Sequence, residues 1–406
     1  MVEGDVTPAE WAGLGWTANE RRRALVAAIV SVTVFGLSIG QGGPLLSLLL
    51  ERRGTDAMLT GLNAGSTFLG VLLGPLLTPR CIRAIGVRNF LLLCFALDAG
   101  IGPMLKVFDS LAAWFALRLL LGVIGSSIFT ASEALINLLA SGAGRGRIVG
   151  IYAAALSGGF SIGPILLVFT GIDGWLPFIA NSVITSIAML PLLQIGAIGR
   201  EFGRKQGVNP LAVFVRAPFI VCTVAMFGVY EAALLALLPV WGVRVGLSNS
   251  LAAATLSAVY VGSVALQMPV GWLADTAGRL RMLRFCGGSG LIGAVVLFGT
   301  GSLLRDTSGE RGMFSLLFGL LFIWGGIAAS IYPLALSLAG DRFRKGDLVA
   351  VNAAIIMAYG VGSLAGPTLG GIAMDAWNPQ GLLGFFVLLF GAFVAMTLSE
   401  RAPSRS

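Results

Sequence analysis

Histidine is absent from the 406 residues, and Asp, Glu, Lys and Arg together make up only 11% of them. A soluble domain carries about 25% charge, so a solvated globular surface is excluded. Without imidazole, any proton handling falls to carboxylates. Four cysteines, Cys81, Cys94, Cys222 and Cys286, lie far apart with no CxxC pair. That spacing gives neither a disulfide frame nor a metal or redox site. No Walker A sequence appears, which removes ATP as the driving force. There is no metal-ligand cluster and no Ser-His or Cys-His pair, so neither an enzyme nor a cofactor is expected.

What remains is mostly apolar. Hydrophobic residues make up 56% of the chain, and glycine accounts for 57 positions. Mean hydropathy is +0.90. The pattern is that of a polytopic protein embedded in a lipid bilayer, with small residues letting helices approach. Twelve apolar runs are long enough to cross about 30 Å as helices. They fall near 24–50, 58–78, 89–107, 111–139, 148–170, 175–195, 216–240, 251–274, 282–304, 313–339, 348–372 and 381–398. The first run is too long for a signal-peptide core and reads as an uncleaved span.

The net charge of +8 raises nucleic acid as a partner, but its distribution answers otherwise. Twenty of the 27 lysines and arginines fall in the N-terminal tail and alternate loops, and six in the opposite loops. The positive-inside rule then puts both termini in the cytoplasm, and a bacterial inner membrane is the expected location. The division expected is a tail at 1–23, a six-helix half at 24–195, a basic central loop at 196–215, a second half at 216–398 and a tail at 399–406. A monomer is expected.

The halves repeat. Gly159-x3-Gly163-Pro164 in span 5 answers Gly362-x3-Gly366-Pro367 in span 11, and Ala131-Ser132 answers Ala329-Ser330. Gly74 answers Gly271, 197 residues later. Parallel six-span repeats are a transporter architecture.

These motifs resemble those of the major facilitator superfamily across all twelve spans. Gly271-x3-Asp275-x2-Gly278-Arg279 is similar to the family's loop between spans 8 and 9. Gly150-x8-Gly159-x3-Gly163-Pro164 resembles its span-5 antiporter motif without the final Gly-Gly, and Gly362-x3-Gly366-Pro367-x2-Gly370-Gly371 has that ending. Arg118-x3-Gly122 resembles its span-4 motif. Ser132-Glu133, Leu266-Gln267-Met268-Pro269 and Gly346-Asp347 are similar to the YcaD-like efflux branch. The resemblance implies an all-α membrane fold with two pseudo-symmetric halves and a cavity lined by spans 1, 4, 7 and 10. In the first copy of the loop, Thr78 stands where the family has aspartate.

The loop reads as a tight charged turn, and the family resemblance implies that Asp275 faces the start of span 5, near Arg147 and Ile148. A carboxylate at a helix start is stabilised by about 0.3–1 kcal/mol, enough for a gate latch; a solvated loop is the plainer alternative. The glycine-proline elements of spans 5 and 11 read as rocking surfaces or as packing.

Asp98, Arg118, Glu133 and Glu231 are ionisable groups well inside spans, each costing about 2.5–3.5 kcal/mol or more if unpaired. Arg118, Gly122, Gly125, Phe129 and Glu133 share one helix face. Given the family's cavity, Arg118 and Glu231 are expected to meet across the halves, as a proton-coupling pair or a static one. Glu133 reads as a gate residue or the proton site, and Asp98 as a buried hydrogen-bonded acid. Gln41, Tyr230, Trp324 and Tyr332 are candidate substrate contacts, with packing as the alternative.

The function expected is secondary transport of a small molecule by alternating access. Proton-coupled export of a partly apolar compound comes first, by resemblance. Uptake of an organic anion by symport and a non-transporting sensor on the same fold are the alternatives.

Overall fold

The computed structural model describes residues 18–139, 145–194, 211–306, 311–343 and 348–400. Among them are twelve helices long and apolar enough to cross a membrane, and no strand. They are α1 Asn19–Arg52, α2 Ala57–Ile85, α3 Val87–Val107, α4 Leu111–Ile136, α5 Ile148–Thr170 and α6 Leu176–Leu193 in the first half of the chain. The second half gives α7 Pro218–Arg244, α8 Asn249–Ala277, α9 Arg279–Thr300, α10 Met313–Arg342, α11 Ala354–Ala376 and α12 Gly381–Ser399. Most of the expected central loop, 196–215, lies outside the described residues.

Local chemistry sets the ends and breaks. Ser248 caps α8 by accepting the Leu251 N–H, satisfying a donor the helix start leaves open. α6 breaks at Ala188 and α10 at Ser330. Each break lies three residues before a proline, Pro191 or Pro333. That proline lacks the N–H for the carbonyl four residues back, at Ile187 or Ala329.

The turn expected at 271–281 is shorter than its motif. Gly271 and Asp275 are helical, and the reversal is made by Gly278 alone, at φ 95°. Its twin is Gly86, at φ 83° between α2 and α3. Each follows a helix of 29 residues, and the two glycines stand 192 positions apart. This register sets Arg83 opposite Asp275 and Pro79 opposite Gly271, correcting the pairing through Gly74 and Thr78. Thr78 lies buried within α2, donating to the Gly74 carbonyl at 2.9 Å, which leaves its oxygen to accept from the Ser127 hydroxyl at 3.0 Å.

Contacts gather the chain into two compact units. The first is Met1–Gly42, Leu69–Gly163 and Asp173–Lys205; the second is Gly43–Phe68, Pro164–Ile172 and Gln206–Ser406. Each has a glycine-packed helix crossing. In the first, Gly159 and Gly163 of α5 lie against the α1 backbone at Thr33 and Leu37. In the second, Gly362 and Gly366 of α11 lie against the α7 backbone at Ala225 and Val229. The α1 and α7 residues are 192 positions apart, and those of α5 and α11 are 203 apart. The span-4 and span-10 packing also repeats at 203: Gly70 meets Leu119, and Gly262 meets Phe322. That offset moves the Ala131-Ser132 match to Leu334-Ala335.

Candidate functional site

In the second unit, Glu231 sits midway along α7, where the α7–α11 crossing brings it beneath Tyr359. The Tyr359 hydroxyl donates to Glu231 Oε2 at 2.8 Å. Phe227, one turn earlier on α7, has its ring centroid 5.5 Å from Tyr332 of α10 and 6.4 Å from Tyr359. Tyr332 and Tyr359 are 6.0 Å apart, edge to face. Three rings therefore close a triangle beside one carboxyl. Glu231, Tyr332 and Tyr359 are each partly exposed, whereas Phe227 is buried. A mid-span acid is costly against lipid; Glu231 offsets part of that cost through the Tyr359 hydrogen bond and keeps a partly exposed edge.

Behind this triangle the packing is closed. Tyr230 is 3% exposed and stacks edge-on against Trp324, Phe386 and Phe390 at 5.4, 5.5 and 5.2 Å. Trp324 Nε1 donates to the Gly290 carbonyl at 2.8 Å, which uses its only polar atom. Of the aromatic candidates read from sequence, Tyr332 lines the partly open triangle, while Tyr230 and Trp324 sit in the core.

The first unit has a different arrangement at the matching positions. Phe35 and Phe129, the counterparts of Phe227 and Tyr332, lie 6.1 Å apart. Ile39 and Leu156 stand where the second unit has Glu231 and Tyr359. The first-unit crossing is thus built without the acid and the phenol.

The remaining candidates lie in the first unit. Arg118 is 3% exposed within α4 and belongs to the first unit, Glu231 to the second. The face it begins meets α1: a Cβ on Gly125 would touch Phe35, the ring that contacts Phe129. Glu133 is exposed, beside a 2.9 Å hydrogen bond between Ser132 and Tyr152. Gln41 is buried, its Nε2 donating to the Pro177 carbonyl at 2.9 Å. Asp98 Oδ2 accepts from Ser38 and Thr185, both at 3.2 Å, tying α3 to α1 and α6.

Two charged networks sit at opposite ends of the second unit. At one, Arg279 pairs with Asp341 and donates to the Ser337 carbonyl, fixing the loop motif to the end of α10. Asp275 is exposed. The side chain of Arg147, its expected neighbour, lies outside the described residues. At the other end, Arg244 holds Glu51 and lies 3.6 Å from Asp375. Asp375 accepts the backbone N–H groups of Ala57 and Met58 at 3.0 and 2.8 Å, capping α2. Sequence reading missed this triad. Its one signal was that Glu51, Arg244 and Asp375 each end an apolar run on the same expected side.

Twelve membrane-length helices, glycine-packed crossings repeated at fixed offsets and a partly open acid at mid-span define a polytopic membrane transporter. The chain belongs to the Major Facilitator Superfamily, whose model matches residues 26–309 and 256–406. The uncharacterized MFS-type transporter YfkF of Bacillus subtilis (strain 168) is 26% identical over 384 residues, covering 92% of this chain and 94% of that protein. An uncharacterized MFS-type transporter of Yersinia pseudotuberculosis serotype O:3 (strain YPIII) is 29% identical over 391 residues, covering 94% and 96%. Among solved structures, the nucleoside transporter NupG matches with a TM-score of 0.74 at 13% identity, covering 94% of this chain and 100% of that one. A D-xylose-proton symporter matches with a TM-score of 0.74 at 15% identity, covering 94% and 98%. Likenesses at these identities establish the fold alone. The chain is an integral, multi-pass membrane transporter and not an enzyme.

Proposed function

We propose that the protein is a proton-coupled exporter of small, partly apolar molecules, working by alternating access as a monomer in a bacterial inner membrane with both termini cytoplasmic. The observation that carries this reading is the Glu231–Tyr359 pair: a partly exposed carboxyl at mid-span, on two helices that cross through glycine contacts. A carboxyl there can take up a proton when open to one side of the membrane and release it to the other. Export as the direction draws support from the antiporter-type glycine-proline elements of α5 and α11. Arg118, buried in α4, supports the second reading, uptake of an organic anion with a proton, because a cationic cavity wall suits an anion.

Alternating access needs ends that open in turn. Arg244, Glu51 and Asp375 join the ends of α1, α2, α7 and α11, so this end opens only when the triad breaks. The loop bearing Asp275 and Arg279 acts at the other end.

The test uses everted membrane vesicles acidified by respiration and a panel of metabolites and lipophilic drugs. Exported compounds dissipate the pH gradient in wild-type vesicles and not in Glu231→Gln vesicles. Equal dissipation in the variant overturns Glu231 as the coupling group. A proton signal of opposite sign, elicited by organic anions, selects the uptake reading.

A further inference from the structure

We propose that the site at Glu231 is a receptor for a lipophilic organic cation, an ammonium or onium centre bearing apolar substituents, which displaces the proton from that carboxyl. This rests on the export reading and names the substrate class.

The first ground is the neutral company Glu231 keeps. Among the described residues of its unit Glu231 forms no ion pair with a lysine or arginine, and its hydrogen-bond partner is the neutral Tyr359 hydroxyl. The side chains that share its electrostatic neighbourhood are Tyr230 on α7, Tyr260 on α8 and Tyr359 on α11. α10 adds Tyr332, and α12 faces the cluster with Phe386 and Phe390 and carries no charged residue. The second unit thus places phenols and aromatic rings on the helices around one carboxyl, with Tyr359 in direct contact.

The second ground is what such surroundings recognise. Aromatic faces attract a cation through the ring quadrupole, most strongly where water is excluded. Phe227, Tyr332 and Tyr359 stand 5.5 to 6.4 Å from one another, forming an apolar wall for the substituents of an onium centre. An anion at the same wall meets like charge and negative ring faces.

The third ground separates this site from mere packing. At the matching crossing of the first unit, Ile39 and Leu156 occupy the places of Glu231 and Tyr359. The same backbone contacts form there with aliphatic side chains, so the acid and phenol are not needed to hold the helices.

A proton and an organic cation need the same carboxylate and therefore exclude each other. One proton leaves Glu231 as one cation binds, and the exchange is electroneutral at the site.

The experiment is equilibrium binding of radiolabelled tetraphenylphosphonium to the purified full chain in detergent, with tetraphenylborate as the anion of the same shape. Wild type binds the phosphonium more tightly at alkaline than at acid pH, because protonating the carboxylate removes the charge that holds the cation. Tetraphenylborate does not displace it. Glu231→Gln, confirmed as folded by its thermal transition, loses roughly thirtyfold or more, and Tyr332→Ala and Phe227→Ala lose roughly three- to tenfold each. Unchanged binding in Glu231→Gln, displacement by the borate or affinity independent of pH overturns the proposal. So does wild-type protein that binds no phosphonium. If neutral compounds still dissipate the vesicle gradient through Glu231, the export reading survives that failure. Should Glu231→Gln fold poorly, Glu231→Asp substitutes: it keeps the charge, retains binding more than either ring variant changes it, and retains the pH dependence.

Discussion

Arg244 grips Glu51 through two parallel hydrogen bonds of 2.8 Å, Nε to Oε1 and Nη2 to Oε2. The side chains are 13% and 17% exposed, so water screens the pair only in part. A bidentate charged pair of this kind has fixed geometry as well as energy. Leaving one member alone costs about 3–5 kcal/mol when fully buried, and about 1.5–3 kcal/mol for a charged hydrogen bond in general. Arg244→Gln and Glu51→Gln should each fall near the lower range, and the double variant should cost little more than either. A thermal-unfolding cycle in detergent reads this directly. Additive losses would show that the two residues act separately.

If that triad is a gate, its loss has a conformational readout too. A cysteine placed at Thr55, between α1 and α2, should react several-fold faster with a membrane-impermeant maleimide in the Asp375→Asn background. Asp375 caps the start of α2 through Ala57 and Met58, an interaction of about 0.3–2 kcal/mol, which shifts a two-state equilibrium by roughly two- to thirtyfold. The same labelling rate in both backgrounds would remove Asp375 from the gate.

The twelve spans and the repeat were legible because length and hydropathy alone set a membrane helix. The glycine-proline crossings were legible because close backbone approach needs glycine, and the letters repeat at 203. The register of the loop motif was not. Matching Gly74 to Gly271 aligned residues of different duty: a Cβ on Gly74 would strike Ser126 and Val123, while one on Gly271 meets nothing. The residues that correspond are those at positive φ, Gly86 and Gly278, and conformation is not written in the letter. Glu51, Arg244 and Asp375 were passed over because charge at the end of a span reads as ordinary interfacial solvation. Glu231 stood out as an acid inside a span, but Tyr359, 128 residues later, has no local mark that pairs it with Glu231.

The glycine contrast is testable by one methyl group. Gly366→Ala places a Cβ against the Val229 backbone, which cannot rotate away, so α7 and α11 must separate. Overpacking of this kind costs about 1–3 kcal/mol. Gly271→Ala adds a methyl in open space within a helix, where alanine is favoured by about 1 kcal/mol. Thermal unfolding should therefore fall for Gly366→Ala and hold or rise for Gly271→Ala. A reversed order would refute the placement of both glycines.

Asp98 offers a last prediction, on the first unit alone. Its Oδ2 accepts from Ser38 and Thr185, and Asn181 Nδ2 donates to Ser38 Oγ at 3.3 Å. Three spans meet through this one carboxyl, so its removal leaves hydroxyls without an acceptor. Asp98→Ala should destabilise by about 1–3 kcal/mol for the stranded donors, plus a smaller loss for the cavity. Asp98→Asn keeps an oxygen in place and should cost under about 1.5 kcal/mol. If Asp98 is structural, both variants keep the pH dependence of transport, while only the alanine lowers the unfolding temperature strongly. An asparagine variant that unfolds like wild type but no longer couples to the pH gradient would transfer the proton site from Glu231 to Asp98.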